Sequence, residues 1–556
     1  MAGVAVVLGL VFGVILLTGG RPEAEVRAER YVAAWARSDY AAMYAELSKA
    51  ARKGRTLAEF TEAYRTAAST ATATSFVPGK TGKLSDGVVS VPMTVSTRVF
   101  GTLRETLRLP FEGEDEDARI AWTQNLAFPG VGRGQRLDRS TQLPARASIL
   151  ARDRTPLAEG PDRTSPLGPA ATAIAGQMGP VPAARVDELR AQGVPPDAKV
   201  GISGLERVFD ADLRGKPGGV LRAGARTLGT SVPRAGKAVR SSIAPEVQRA
   251  AVVALGDRFG GVAVVKPKTG EILGLAGVAF SGLQPPGSTF KMITLSGALE
   301  AKIAGPHSTY PVQTAATLEG VELENAGGES CGGTLRLSFA HSCNSVFAPL
   351  GARLGPERLV KAAESFGFNE DLGIPGAATS TIPAAGEIGD ELAVGSSAIG
   401  QGRVQATALQ MAWVAATIGN DGLRTPLTLR AGQPAPAHTR VIRASTARTV
   451  REYMEAVVNE GTGVSAAIPG VRVAGKTGTA ELKDTSTPDC SPTPEVPCPP
   501  VEPNDPTDTD AWFAAFAPAK NPRLAVGVLL IQNGAGGDTA APVAREVLVT
   551  GLQSAR

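Results

Sequence analysis

Pro286-Gly287-Ser288-Thr289-Phe290-Lys291, followed by Met292-Ile293-Thr294-Leu295, is the stretch on which the reading of this chain turns. The apolar run after Lys291 predicts the first turns of a buried helix. Residues i and i+3 lie on one helical face, so Lys291 can reach the hydroxyl of Ser288. A serine hydroxyl is a weak nucleophile until a base takes its proton, and a desolvated lysine amine can be that base. At a helix start, Ser288 also meets free backbone N–H groups and the positive end of the helix dipole, which favour developing negative charge. An isolated Ser-x-x-Lys is ordinarily a helix N-cap followed by a surface lysine. This one is the only such motif in the chain, and its weight depends on what lies downstream.

Working outward, 556 residues allow two to four domains, and 43% apolar content supports large cores. A net charge of +4 without basic blocks argues against nucleic acid as a partner. Three histidines and four cysteines, none at metal-ligand spacing, leave a cofactor-free hydrolase or transferase as the economical expectation. Ala2 to Thr18 is uncharged and predominantly apolar, at about 1.5 Å per residue just enough to cross a hydrocarbon core of roughly 30 Å. It lacks a basic leader and an A-x-A cleavage pattern. The expectation is therefore an uncleaved anchor, residues 1–20, with everything after Gly20 outside the cytoplasm.

Three modules follow. From Pro22 to about Ser140, helical periodicity over Ala24–Ser48, broken at Ser38-Asp39, precedes a helix at Thr56–Ala67. Alternating patterns at Val88–Val99, Leu103–Phe111 and Ala118–Ala127 predict strands, so this module is α+β. Residues 144–235 are rich in Gly, Pro and Arg and predict an irregular, extended region. From about 236 onward, a helix at Glu246–Leu255 precedes a hairpin whose strands, Gly261–Val265 and Glu271–Ala276, flank a Lys-Pro-Lys-Thr-Gly turn. A helical stretch then runs over 335–422, and strands return at Val471–Ala474, Ala511–Ala517 and Leu524–Gln532. A closing helix spans Ala541–Gln553. Strands at both ends imply a sheet completed by distant segments.

Ser342-Cys343-Asn344 is the only Ser-x-Asn and falls in a helical loop. Lys-Thr-Gly occurs at Lys80, Lys268 and Lys476, which shows how common that tripeptide is. Only Lys476-Thr477-Gly478-Thr479 follows an alternating segment, Gly470–Gly475, on which Lys476 and Gly478 would share a face. The same residues, Gly470 to Thr477, match the Walker A pattern. Val-Arg-Val-Ala in the loop positions favours a strand, however, and no apolar strand ending in Asp stands ready for magnesium. His341 beside Ser342 has no evident third partner and reads as structural.

The ordered set Ser-x-x-Lys, Ser-x-Asn and strand-borne Lys-Thr-Gly resembles a class B penicillin-binding protein. The resemblance extends to Arg146–Ala158, Gly204-Leu205-Glu206, Leu213–Gly218, Met454–Gly463 and Asp510–Pro518, and so covers about 145–556. More weakly, the first module is similar to the NTF2-like domain of methicillin-resistance-type relatives. The resemblance implies a multidomain α+β chain. A membrane anchor (1–20) and an NTF2-like domain (22–140) would precede a dimerisation or pedestal domain (144–235). A transpeptidase domain (236–556) would follow, with a central antiparallel sheet flanked by helices. It implies that Ser288 attacks a donor peptide's penultimate D-Ala carbonyl, Lys291 is the base and Ser342 passes the proton to the leaving amine. Asn344 would hold Lys291 and the substrate amide, and Lys476 would bias the proton network. Thr477, Gly478 and Thr479 would form the carboxylate-binding strand, and the N–H groups of Ser288 and Thr479 the oxyanion hole. Implied partners are peptidoglycan stem peptides, β-lactams, the membrane and a SEDS-type glycosyltransferase, with no cofactor and an extracytoplasmic, single-pass location. A β-lactamase, a D,D-carboxypeptidase-type hydrolase and a non-catalytic β-lactam receptor share parts of the motif set. An anchor plus spacer-like modules favours the transpeptidase.

Outside the cytoplasm, cysteines near each other in sequence predict local bridges: Cys331 with Cys343, and Cys490 with Cys498. Residues 484–510, with eight prolines and few apolar residues, predict a mobile loop.

Overall fold

The structure is a computed structural model that describes residues 21–434, 437–482 and 508–554. The expected anchor, the Cys490–Cys498 bridge and most of the proline-rich stretch lie outside the described residues. Among the described residues, no helix is long and apolar enough to cross a membrane. The chain forms two compact units. One holds the residues up to Ala147 with Gly179–Ile202 and Arg214–Lys237; the other holds Ser148–Met178, Ser203–Leu213 and the chain from Ala238 onward.

In the first unit, the helix Glu23–Ala36 ends before Ser38, and Asp39 caps the next helix, Tyr40–Ala45, by accepting from the Ala42 amide at 3.0 Å. Thr56 and Glu59 form a reciprocal capping box at the start of Leu57–Ala71. These helices bury Tyr31, Trp35, Phe60 and Tyr64 against Val89, Val91, Leu107 and Leu109 of an antiparallel sheet. Its order is Ala73–Pro78, Val88–Thr97, Thr102–Glu112, Arg119–Ile120. The expected strand over Ala118–Ala127 is shorter than its pattern predicts: only Arg119–Ile120 pairs, and Gln124–Ala127 is a 3₁₀ turn. Two polar contacts draw the chain out of the sheet: the Trp122 indole donates inward to the Tyr64 hydroxyl at 2.9 Å, and Asn125 donates to the Val131 carbonyl at 3.1 Å. A second sheet of three short strands, Leu137–Gln142, Gly218–Ala223 and Arg226–Ser231, draws on the Gly- and Arg-rich stretch.

The second unit is built on a five-stranded antiparallel sheet in the order Ile272–Gly277, Gly260–Val265, Leu524–Leu530, Thr509–Ala517, Ala474–Glu481. Alternation divides it cleanly. Val262, Val264, Phe513, Val526 and Val528 join the helices Pro245–Leu255 and Ala541–Ser554 in one core. The opposite face receives the wholly buried helix Ala408–Gly419, which approaches so closely at Gly527 that a Cβ there would lie 2.1 Å from the Ala408 carbonyl. Burying each valine fully contributes about 1.5–3 kcal/mol. The sheet is therefore a rigid base for its edge strand, Ala474–Glu481.

That strand begins later than the sequence pattern predicts. Val471–Ala474 was expected to be extended, but Pro469-Gly470 turn the chain: Gly470 has φ +75°, and the Val471 amide donates back to Ile468 at 3.0 Å. Lys476-Thr477-Gly478 thus lies inside the strand rather than after it. At the other end, Thr509 and Asp510, expected in the loop, already belong to the strand carrying Trp512.

Candidate active site

Ser288 sits on a 3₁₀ turn, Gly287–Phe290, that runs directly into the helix Lys291–Glu300. The helix is buried from Lys291 to Leu299, whereas Ser288 remains partly accessible. Two glycines bring this turn against the edge strand. Gly287 has φ +50°, and a Cβ there would lie 2.6 Å from the Thr479 carbonyl; a Cβ on Gly478 would lie 2.8 Å from the Pro286 carbonyl. Any side chain at either position would push the nucleophile's turn off the strand.

The second wall is the loop joining the helices Leu335–Ala340 and Asn344–Leu354. Ser342 at its tip has φ +61°, a left-handed conformation that costs a non-glycine residue about 1–2 kcal/mol. The disulfide Cys331–Cys343 and a bond from the Cys343 amide to the Ser338 carbonyl (2.9 Å) hold the loop there. Asn344 donates from Nδ2 to the Glu324 carbonyl at 2.7 Å, which leaves Oδ1 turned to Lys291.

Lys291 Nζ donates to the Ser342 carbonyl at 2.6 Å, to Asn344 Oδ1 at 2.6 Å and to Ser342 Oγ at 3.3 Å. The expected direct bond to Ser288 is not made. The amine instead spends its donors on the 342–344 loop, whose oxygens satisfy it. Lys291 and Lys476 are both 0% exposed, and neither has a carboxylate partner among the described residues. Each has an aromatic face instead: Phe347 lies 5.7 Å from Lys291 Nζ and Phe339 5.5 Å from Lys476 Nζ. Burial pulls the Lys476 pKa down to about 7. Burial, and then repulsion from Lys476, hold Lys291 well below the usual lysine range. An amine whose pKa is lowered by burial, hydrogen-bonded to a second hydroxyl and one turn from a first, is equipped to move protons.

On the edge strand, Lys476 Nζ donates to the Thr477 carbonyl at 3.1 Å and lies 3.5 Å from Thr477 Oγ1. Thr479 Oγ1 accepts from the Gly536 amide at 3.4 Å. The lysines of the other two Lys-Thr-Gly tripeptides, Lys80 and Lys268, are both exposed. The Walker-like segment passes from a turn straight into strand, so it offers no helix N-terminus to a phosphate. His341 is exposed at the helix end. Sequence reasoning missed four contributors: the rings of Phe339 and Phe347, the Glu324 carbonyl, and Thr462, whose hydroxyl lies 2.5 Å from Thr477 Oγ1. The flanking glycines of Gly461-Thr462-Gly463, and its place in the Met454–Gly463 stretch, were the available signals for the last.

Residues 260–549 match the penicillin-binding protein transpeptidase domain, more than half of the chain. This protein belongs to the penicillin-binding protein transpeptidases. The NTF2-like N-terminal transpeptidase domain matches at 23–135 and the penicillin-binding protein dimerisation domain at 142–228, which makes it a class B member with an NTF2-like module. The penicillin-binding protein is 32% identical over 421 residues to the peptidoglycan D,D-transpeptidase PbpA of Mycolicibacterium smegmatis, covering 63% of this chain and 80% of that one. It is 35% identical over 344 residues to PbpA of Mycobacterium tuberculosis, covering 56% of this chain and 61% of the relative's length. Among solved structures, it resembles the D,D-transpeptidase domain of a peptidoglycan glycosyltransferase from Eggerthella lenta, with TM-score 0.59, 27% identity and coverage of 74% and 98%. The M. tuberculosis penicillin-binding protein A in its ceftriaxone acyl-enzyme complex matches with TM-score 0.57, 26% identity and coverage of 73% and 98%.

Proposed function

We propose that this penicillin-binding protein is a peptidoglycan D,D-transpeptidase that carries its acyl group on Ser288 and is acylated at the same atom by β-lactams. The observation that carries the reading is the Lys291 amine: fully buried, lowered in pKa, held by Ser342 and Asn344 and one turn beyond Ser288. The names of the relatives and the acyl-enzyme state of one solved neighbour support the same assignment.

In this reading Ser288 Oγ attacks the carbonyl of the donor's penultimate D-Ala while its proton passes to the neutral Lys291 amine. Backbone N–H groups of Ser288 and Thr479 receive the oxyanion, each contributing about 3–4 kcal/mol. The proton then travels through Ser342 Oγ to the nitrogen of the terminal D-Ala, which leaves as the C–N bond breaks. The amine of a second stem peptide attacks the ester, loses a proton to the same relay and restores Ser288. Asn344 steadies Lys291 and the substrate amide, Lys476 biases the relay, and Thr477 and Thr479 bind the donor carboxylate on the strand that Gly478 keeps open.

Ala2–Thr18 would tether this machinery to the cell membrane as a single span, with the catalytic unit outside the cytoplasm; a disulfide beside Ser342 suits that compartment. A SEDS-type glycosyltransferase would be the partner supplying glycan strands. Intact mass after exposure to benzylpenicillin should show one adduct, mapping to Ser288 and absent from Ser288→Ala. An adduct on Ser288→Ala would overturn the assignment. Supplying a stem-peptide thioester with a D-amino acid acceptor separates transfer from hydrolysis: the aminolysis product is expected, and free acid alone would refute the transferase.

A further inference from the structure

Gly461-Thr462-Gly463 follows the helix Ala444–Glu460 and takes no part in the steps above. Its backbone is fixed from several sides. The Thr462 amide donates to the Ala340 carbonyl at 3.1 Å, and that of Gly463 donates to Val457 at 2.9 Å. A Cβ on Gly461 would lie 2.2 Å from the Ala340 carbonyl, and one on Gly537 would lie 2.2 Å from the carbonyl of Thr462. Ala340 ends the helix before His341-Ser342, and Thr477 follows Lys476. Thr462 is therefore wedged between the two segments that bring Ser342 and Lys476 to the site.

Its hydroxyl has two polar neighbours, Thr477 Oγ1 at 2.5 Å and the Ala340 carbonyl at 3.4 Å. One proton cannot serve both. At 3.4 Å the Ala340 carbonyl is long for an O–H···O bond, so the hydroxyl proton is better placed toward Thr477. Lys476 Nζ, 3.5 Å from the same oxygen, is a second donor to it. With its lone pairs engaged from two sides, the Thr477 hydroxyl keeps its own proton for a third group, which must be an acceptor. In the reverse arrangement, Thr477 would donate to Thr462 and turn a lone pair toward any incoming anion.

We propose that Thr462 is a positioning residue that fixes Thr477 as a hydrogen-bond donor to a carboxylate, so that the site selects acyl donors carrying one. This rests on the acyl-enzyme reading above. The test compares acylation rate constants for a β-lactam and for its methyl ester in the unaltered protein, Thr462→Val and Thr462→Ser. Losing a hydrogen bond aimed at a charged group should lower the free-acid rate roughly 10- to 100-fold in Thr462→Val. The ester should suffer less, so that the acid-to-ester rate ratio falls; Thr462→Ser, which keeps the hydroxyl, should restore the ratio. Thr477→Val should lower the ratio as well, and adding Thr462→Val to it should lower it no further. Equal slowing of acid and ester, or an unchanged ratio in Thr462→Val, overturns the proposal. If Thr462→Val does not fold, a reduced ratio in Thr462→Ser does the same. Failure of the unaltered protein to form the Ser288 adduct would instead remove the underlying reading.

Discussion

Replacing both Cys331 and Cys343 with alanine removes the bridge while leaving Cys490 and Cys498 untouched, and its consequences can be worked out in advance. The two residues are 12 apart in sequence. For a loop of that size the chain-entropy expression gives about 3 kcal/mol of stabilisation at 25 °C. The left-handed Ser342 costs about 1–2 kcal/mol, so the bridge alone outweighs the strain it holds. Without it, Ser342 can relax to an ordinary backbone conformation and carry its carbonyl and hydroxyl away from Lys291, 2.6 and 3.3 Å distant in the intact protein. Denaturant unfolding should show a loss of about 3 kcal/mol, to which the small cavities left by truncated sulfurs add. Acylation followed with a fluorescent penicillin should slow on the order of 100-fold, as expected when a positioned group shifts by about an ångström. The Ser288 adduct should still form at long times. A double variant that loses less than about 1 kcal/mol and acylates at the original rate would refute both the entropy argument and the aiming role of the loop.

Lys291→Ala should slow acylation by roughly 10²–10⁴-fold in the same assay, because the nucleophile keeps its place but loses its base. Lys476 titrates near 7 in the folded protein and in the usual lysine range when unfolded, so between those values the unfolded chain binds the extra proton. Stability should therefore rise as pH increases from about 7. Urea unfolding from pH 7 to 9 should show Lys476→Met lacking about 1.4 kcal/mol per pH unit of that rise; parallel curves would refute the assignment. Gly287→Ala combines a disfavoured φ with a Cβ driven into the Thr479 carbonyl, and should slow acylation more than it lowers stability. Equal acylation rates for Gly287→Ala and the unaltered protein would show that the turn does not need its contact with the strand.

The residue types of the site were legible because the chemistry fixes them at short spacing: Ser288 with Lys291, Ser342 with Asn344, Lys476 with its Thr-Gly. How they meet was not. The Lys291 contacts span 51 and 53 positions, and no local pattern says that a buried amine will find the 342–344 loop before Ser288. The start of the lysine strand was misplaced because β-branched Val471 and Val473 favour extension, while the turn at Pro469-Gly470 overrides them. Thr462 was hidden for a related reason: threonine between glycines reads as a turn, and its partner Thr477 lies 15 positions away. The bridge between Cys331 and Cys343 was readable, since the expected compartment and the proximity in sequence both pointed to it. In the first unit, cap chemistry at Asp39 marked a helix start well, whereas the short strand at Arg119–Ile120 ended where side-chain bonds from Trp122 and Asn125 outcompeted the ladder.

The pairing of Gly260–Val265 with Leu524–Leu530 also sets a schedule for making this protein. On a ribosome, Val262 emerges long before Val528, its neighbour in the finished sheet. At about 5–20 residues per second the interval is on the order of 10–50 s. Throughout it the hairpin ending at Gly277 presents an open, valine-lined edge to any other extended segment, in solution or on the same nascent chain. Translation arrested anywhere before Leu524 would release a chain prone to self-association rather than a smaller working domain, and a holdase that covers the hairpin until the last strand is synthesised should raise the yield of soluble protein.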